Sequence, residues 1–182
     1  MTEETSLPPP DHLYTKTKVS QEHLLMCWNE HYGVPYTILR YDIPYGPGMR
    51  SNMAIAIFAR KAMYKERISV FGDGTQGRCF IYIEDLAEGN TAALNRTAEN
   101  QILNLAGTEF ITLNQVIQSL KEIFGEVDVE YRPSRPQDFK GVRVNIEKAK
   151  RLLNWAPKRR LNEGLRRYIT YLGKRQSEAA EH

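Results

Sequence analysis

The chain has 182 residues, 41% hydrophobic and 26% charged, which is ordinary for one globular domain or for part of a larger protein. It has no apolar run of about 18 residues that could span a bilayer, its acidic, proline-rich start is unlike a secretory signal, and it has two cysteines. We therefore expect a cytoplasmic protein without a membrane partner. A net charge of +3 permits a phosphate-bearing ligand but gives no reason to expect nucleic acid.

Helices and strands alternate along the chain. Residues 1–12 have too few apolar groups for an element, and a helix is predicted from Leu13 to about Tyr32, where Gly33 stops it. The next segment, PYTILRY (35–41), is typical of a strand buried on both faces of a parallel sheet. The other predicted elements are helix 54–64, strands 67–71 and 78–83, helix 84–96, strand 102–107, helix 112–124, strand 127–133 and helices 146–153 and 161–173. This order predicts an α/β fold.

The stretch YTKTK places Tyr14 and Lys18 four residues apart at the start of the first predicted helix. In this composition, roughly half a match to that spacing is expected by chance. The spacing puts both side chains on one helix face, and a nearby cation lowers the pKa of a phenol. Such a pair can act as a general base toward a hydroxyl group, and the surrounding motifs must decide whether this one does.

Several other patterns have simpler explanations than a functional site. Residues 72–77, GDGTQG, match GxGxxG, but strands are predicted on both sides, whereas a dinucleotide-binding turn leads from a strand into a helix. His23, Cys27 and His31 share a helix face but lack a fourth metal ligand, so packing of Cys27 is favoured and no metal is expected. Asp85 fits a helix cap better than an acid catalyst.

Two arginine-containing segments each allow a functional and a simpler explanation. The basic C-terminal segment, with Leu161, Leu165, Ile169 and Leu172 on one face, predicts an amphipathic helix with a solvated basic side. Arg78 follows the glycine turn and could bind phosphate oxygens in a bidentate manner, against the alternative of a solvated surface charge.

The order of several segments is more specific than any one of them. YTKTK on a helix, then LRYDIPYGPG, VFGDGTQGRCFIYIEDLAEG, YRPSRPQDF and KAKRLLNWAP, resembles the NAD-dependent nucleotide-sugar epimerase/dehydratase family, the extended short-chain dehydrogenase/reductases. The resemblance runs from about residue 3 to residue 172. It implies the C-terminal part of a Rossmann-type fold together with a substrate-binding lobe.

The resemblance also implies roles for individual residues. Tyr14 and Lys18 match the family's catalytic pair, which also contacts the cofactor, NAD or NADP. The other residues implied to bind the cofactor are Tyr41, Ile43 and Pro44. The residues implied to bind a nucleoside-diphosphate sugar are Tyr45, Arg78, Arg135 and Asp138. Tyr14 would take a sugar hydroxyl proton while hydride leaves the same carbon for the nicotinamide.

The sequence departs from the family pattern in four places. In the family, a glycine-rich strand-turn-helix and a Ser or Thr precede the catalytic tyrosine. Neither can be placed in the 13 residues before Tyr14. Ile43 stands where many members have Asn, Cys79 where an Asp often follows the Arg, and Asn145 where an Asp often stands. The main cofactor-binding motif is therefore expected to be absent from these 182 residues.

These observations predict four segments and leave two functions open. We expect an arm at 1–12, a remnant of the dinucleotide-binding domain at 13–50, a substrate-binding lobe at 51–175 and a tail at 176–182. The chain is either part of an epimerase or dehydratase that lacks activity alone, or a non-catalytic sugar-nucleotide-binding or assembly module. Because apolar surface would be left uncovered, we expect a homo-oligomer or a partner chain that carries the missing Rossmann half.

Overall fold

The computed structural model describes residues 1–5, 12–135 and 139–180. Its helices are α1 (Leu13–Tyr32), α2 (Ala54–Met63), α3 (Ile83–Ala92), α4 (Leu113–Phe124), α5 (Glu147–Leu153) and α6 (Leu161–Ala180). Its strands are β1 (Thr37–Tyr41), β2 (Pro44–Tyr45), β3 (Ile68–Phe71), β4 (Gly77–Arg78), β5 (Ile81–Tyr82), β6 (Gln101–Leu105), β7 (Ile111–Thr112) and β8 (Val129–Arg132). The predicted α/β class is confirmed.

The strands form four pairs in the described part of the chain. Three pairs are parallel, β1 with β6, β2 with β5 and β3 with β8, whereas β4 and β7 are antiparallel. Parallel neighbours require crossover connections, which is why helices separate the paired strands along the sequence. The turn at Gly72–Gly77 lies between β3 and β4, so the rejection of a dinucleotide-binding turn there agrees with the structure.

Two large apolar cores hold these elements together. The first gathers α2, α4 and α6 around β3, with Ile55, Val70, Leu120 and Leu165 all at most 1% exposed. The second packs α3 and α5 against β6 through Leu103, Leu105 and Trp155. Helix α4 starts in a capping box, in which the Thr112 hydroxyl and the Gln115 side chain each accept the other residue's backbone N–H. The segment boundary predicted at residue 50 is not tested by these contacts and stays a prediction.

Helix α1 begins and ends as predicted, at Leu13 and Tyr32. Gly33 ends it in the left-handed conformation, with φ of 67°, where a residue with a side chain is strained. None of the helix's residues is buried, however, so the predicted packing of Cys27 is wrong and this thiol is exposed. The apolar pattern of α1 is therefore a surface feature of the chain as described.

Three further details differ from the predictions. The strand predicted at residues 35–41 starts at Thr37, and Ile38 is its one buried residue, because β6 is its sole strand neighbour within the described ranges. Helix α6 continues to Ala180, beyond the predicted end at residue 173 and into the segment predicted as a tail. Asp85 does not cap α3, whose N-cap residue is Tyr82, and its buried carboxylate binds Arg159 instead.

Candidate functional site

A groove of about 640 Å³ lies between α2, β3 and β4. Its floor is apolar and is formed by residues that also pack in or against the first core, among them Ile43, Met53, Phe58 and Phe80. Four cationic side chains line the groove: Lys61, Arg78, Arg132 and Arg135. Its described lining contains no carboxylate. A concave surface with an apolar floor and cations at its rim suits a ligand that joins a flat apolar part to an anion.

Arg78 is held in the groove by two carbonyl groups and one ring. Its Nη1 donates to the Gly77 oxygen at 2.7 Å and to the Phe139 oxygen at 3.2 Å, and its guanidinium lies 4.9 Å from the centre of the Phe139 ring. These contacts use one nitrogen and one face of the guanidinium. The remaining edge can still form the two parallel hydrogen bonds by which arginine binds a phosphate.

Two glycines allow neighbouring segments to pack closely against β4, the strand that carries Arg78. A side chain at Gly77 would collide with the Ile111 carbonyl oxygen, and one at Gly141 would collide with the Gly77 carbonyl oxygen. The chain around Gly141 can therefore cross β4 directly, as the hydrogen bond from the Gly77 N–H to the Lys140 oxygen at 3.0 Å shows.

Arg135 lies on the same groove, with its guanidinium 3.6 Å from the centre of the Phe71 ring. This distance is typical of a cation stacked on an aromatic face. Arg78 and Arg135, which are far apart in sequence, are thus brought to one groove by β4 and by the segment after β8. The third residue expected on this side, Asp138, lies outside the described residues.

Tyr14 and Lys18 lie on one face of α1. The Lys18 Nζ is 5.6 Å from the centre of the Tyr14 ring and donates to the Gln21 Oε1 at 3.3 Å. Tyr14 is 64% exposed. In the described part of the chain, neither residue has a recorded hydrogen bond to the groove, so Tyr14 and Lys18 form a site element of their own.

The segment expected beside the nicotinamide follows β1. The Tyr41 hydroxyl donates to Asn90 Oδ1 at 2.5 Å, and Ile43 lines the groove. Pro44, in β2, pairs with Ile81 in β5. Tyr45 differs from its expected role. It is 2% exposed, its hydroxyl faces the Leu161 carbonyl oxygen, and burial raises its pKa, so we do not retain it as a ligand-binding residue.

Asp42 connects this segment to the strand of Arg78. Its Oδ2 accepts the Cys79 N–H at 2.7 Å, and its Oδ1 accepts the N–H of Ile43 at 2.9 Å. The Cys79 thiol is fully buried and accepts the Val144 N–H at 3.3 Å. Burial raises the pKa of Cys79, so this side chain serves packing rather than chemistry.

Other possible sites are less suited to a ligand. A cavity of about 830 Å³ beside the ends of α2 and α4 has both signs of charge at its edge, from Lys65, Lys121, Glu66, Glu126 and Asp128. Within the described ranges, no three His, Cys, Asp or Glu side chains are grouped as metal ligands. The helices of the same ranges include none that is long and apolar enough to cross a membrane.

Several groove residues escaped the sequence analysis. Phe71 and Phe139 flank the two arginines, and Lys61 and Arg132 also line the groove, where the Arg132 guanidinium pairs with Glu130 at 2.8 Å. Arg132 was visible in the YRPSRP segment, next to Arg135. The aromatic residues carried no comparable pattern, because their place beside an arginine depends on how distant segments meet.

The fold and the site together define an α/β chain with a cationic groove and a helix, α1, that carries Tyr14 and Lys18. The family model described as "NAD dependent epimerase/dehydratase family" matches residues 1–106. The chain therefore belongs to the NAD-dependent epimerase/dehydratase family, as the resemblance implied.

Individual relatives agree with this assignment. The chain is 36% identical over 171 residues to a UDP-glucuronate 4-epimerase of Thermodesulfobacterium geofontis, covering 93% of this chain and 53% of the relative. A crystal structure of UDP-glucose 4-epimerase from Thermotoga maritima with UDP-glucose has a TM-score of 0.88 and 32% identity, over 97% of this chain and 58% of that one. UDP-glucuronic acid 4-epimerase from Bacillus cereus, in complex with UDP-glucuronic acid and NAD, has a TM-score of 0.86 and 32% identity, over 94% and 56%. The chain spans about half the length of the relatives that it matches.

Proposed function

We propose that this chain carries the Tyr-Lys helix and the sugar-nucleotide-binding lobe of an NAD-dependent nucleotide-sugar epimerase or dehydratase. The observation that carries the proposal is the groove that joins Arg78 and Arg135 to an apolar floor. A nucleoside-diphosphate sugar has the matching parts, a flat base and two phosphates. Solved relatives of similar fold were crystallised with UDP-glucose and with UDP-glucuronic acid and NAD, which supports this substrate class.

The proposed reaction is hydride transfer at a sugar carbon, assisted by Tyr14. Its side-chain oxygen would accept the hydroxyl proton, and the Lys18 ammonium lies on the same helix face, 5.6 Å from the centre of the Tyr14 ring. NAD, when bound, supplies the nicotinamide that takes up the hydride. The residues of this chain that fit beside that ring are Tyr41, Ile43 and Pro44, on the segment that follows β1.

A second function, that of a non-catalytic binding or assembly module, is favoured by a different observation. Helix α1 buries none of its residues, and its large apolar side chains are available to a partner. The partner would be a second copy of the chain or a chain that carries a Rossmann half. In this alternative, the groove would bind a sugar nucleotide without turnover.

The first prediction concerns Arg78 and UDP. Arg78→Ala is expected to weaken UDP binding by at least about tenfold, because charge-assisted hydrogen bonds to phosphate are lost. Arg78→Lys should lose nearly as much, since an ammonium group cannot reproduce the bidentate geometry. Isothermal titration calorimetry of the 182-residue chain with UDP measures both changes.

Arg96→Ala provides the matched control, because Arg96 lies in the short 3₁₀ turn at residues 96–98, outside the groove lining. This control should bind UDP as the unmodified chain does. An unmodified chain with no measurable affinity for UDP would contradict the proposed function. Equal affinities for the unmodified chain and Arg78→Ala would show that Arg78 is only a surface charge.

The second prediction concerns NAD. We expect the 182-residue chain alone to bind NAD weakly and to turn over no sugar nucleotide. A glycine-rich turn followed by a helix N-terminus supplies the backbone N–H donors for the pyrophosphate, and no such motif is recognisable in these 182 residues. Calorimetric titration with NAD, with UDP titration as the positive control for folding, tests this. Micromolar NAD binding would overturn it.

A further inference from the structure

The position of α1 matters because this helix carries Tyr14 and Lys18, yet apolar burial within the single chain contributes little to fixing it. None of its residues is buried. Within the described ranges, its hydrogen bonds and ion pairs to residues beyond Val34 all run through one side chain, Glu22, to one partner, Arg40. The polar contacts that place the helix are therefore concentrated in one pair of side chains.

The Glu22–Arg40 contact is bidentate. The Arg40 Nε donates to Glu22 Oε1 at 2.8 Å, and its Nη2 donates to Oε2 at 2.6 Å. The two side chains are 19% and 31% exposed, so water screens the pair less than it screens a fully exposed ion pair. The planar guanidinium fixes direction as well as distance, since both parallel bonds must be satisfied together.

Arg40 also holds the other segments that meet at this point. Its Nη1 donates to the Glu3 carbonyl oxygen at 3.2 Å, and Glu3 Oε1 accepts the Asn104 N–H at 2.9 Å. Asn104 is the register partner of Arg40 across the β1–β6 pair. Arg40 is thus anchored in the sheet and against residues 1–5, and it offers α1 a rigid point of attachment.

We propose that Arg40 is a positioning residue, which acts through Glu22 to set the place of the Tyr14–Lys18 face of α1 relative to the segment after β1. Tyr14, Lys18 and Glu22 follow one another at four-residue steps, along one side of the helix. Ile43 and Pro44 follow Arg40 within four residues. The pair therefore joins the two elements that the proposed function requires to meet, and its catalytic meaning rests on that proposed function.

The test measures the placement of α1 directly. Cys27 on α1 is exposed and Cys79 is buried, so a nitroxide label attaches selectively to Cys27 and to a second cysteine introduced as Gln118→Cys on exposed α4 surface. Double electron–electron resonance then gives the distance distribution between α1 and the first core. Dilution with unlabelled chain removes distances between molecules.

Glu22→Gln and Arg40→Lys are expected to broaden this distribution by about twofold while the melting temperature stays nearly unchanged, because a local link is lost. Glu88→Gln is the control, because it removes the charge of a carboxylate on α3 that pairs with Lys158, and it should leave the distribution unchanged. In a double-mutant cycle, Glu22→Gln/Arg40→Lys should broaden it no more than the wider single variant, since both changes remove one interaction.

Two results would overturn the proposal. One is an unchanged distribution in both single variants. The other is a lower melting temperature with an unchanged distribution, which would mean that the pair supports the fold without positioning α1. Failure of UDP binding would remove the proposed function, but the distance measurement on Arg40 would still stand.

Discussion

Arg159→Met is expected to destabilise the folded chain by about 3 kcal/mol, because it leaves a buried carboxylate without its cationic partner. Asp85 is 0% exposed. Its Oδ1 accepts from Arg159 Nη1 at 2.6 Å, and its Oδ2 accepts the Arg159 backbone N–H at 3.0 Å. Methionine preserves much of the packing of this side chain over Tyr82 and keeps the backbone bond. The loss therefore reports on the ion pairs of Arg159, mainly the buried one with Asp85, since the Glu84 partner at 2.7 Å is 50% exposed. Urea unfolding at pH 7, followed by circular dichroism, measures it.

The neighbouring residue offers a matched control. Lys158 pairs with Glu88 at 2.6 Å, but the two side chains are 70% and 40% exposed. Lys158→Met should therefore change stability by no more than about 0.5 kcal/mol. Adding Asp85→Asn to Arg159→Met should recover part of the loss, since the unpaired charge is then removed. Equal losses for the Lys158 and Arg159 variants would show that the buried pair stabilises nothing.

Local sequence determined α1 and α4 well. Gly33 supplies the left-handed conformation that ends α1, and Thr112 with Gln115 supplies the capping box of α4. The two-residue strands β2 and β7 had no comparable pattern, because each exists only through its pairing with a distant segment. The single strand predicted at 78–83 is instead divided into β4 and β5, which pair with different segments. Burial was the least predictable property. The segment 35–41 looks fully buried in composition, but burial depends on which strands stand beside it.

The sequence predicts those parts of the candidate site that lie within short family motifs. YTKTK placed Tyr14 and Lys18 on one helix face, and Arg78 and Arg135 do line one groove. Tyr45, from the same kind of motif argument, lies in the core instead. The difference arises because a motif fixes the order of residues, whereas packing against α6 fixes where the Tyr45 ring points.

The chain is also expected to self-associate. Large apolar side chains on α1 are well exposed: Leu13, Tyr14, Leu24, Leu25, Trp28 and Tyr32. The strand β1 has no second strand neighbour among the described residues, so one edge can pair with another chain. Contiguous apolar surface of several hundred Å² is rarely left uncovered on a soluble monomer. A symmetric dimer through α1 is favoured over edge pairing, because the helix offers more apolar surface.

The variant Leu24→Ser/Trp28→Ser is expected to weaken this dimer at least about thirtyfold, since buried aromatic and aliphatic anchors carry most of an interface's free energy. Leu94→Ser is the control, because Leu94 is 86% exposed and lies outside α1, beyond the end of α3. Sedimentation velocity over a concentration series separates the outcomes. A dimer that both variants leave intact would point to pairing at the β1 edge. A compact monomer at high concentration that binds no apolar dye would mean that the chain covers this surface itself, and that α1 needs neither a second copy nor a Rossmann half.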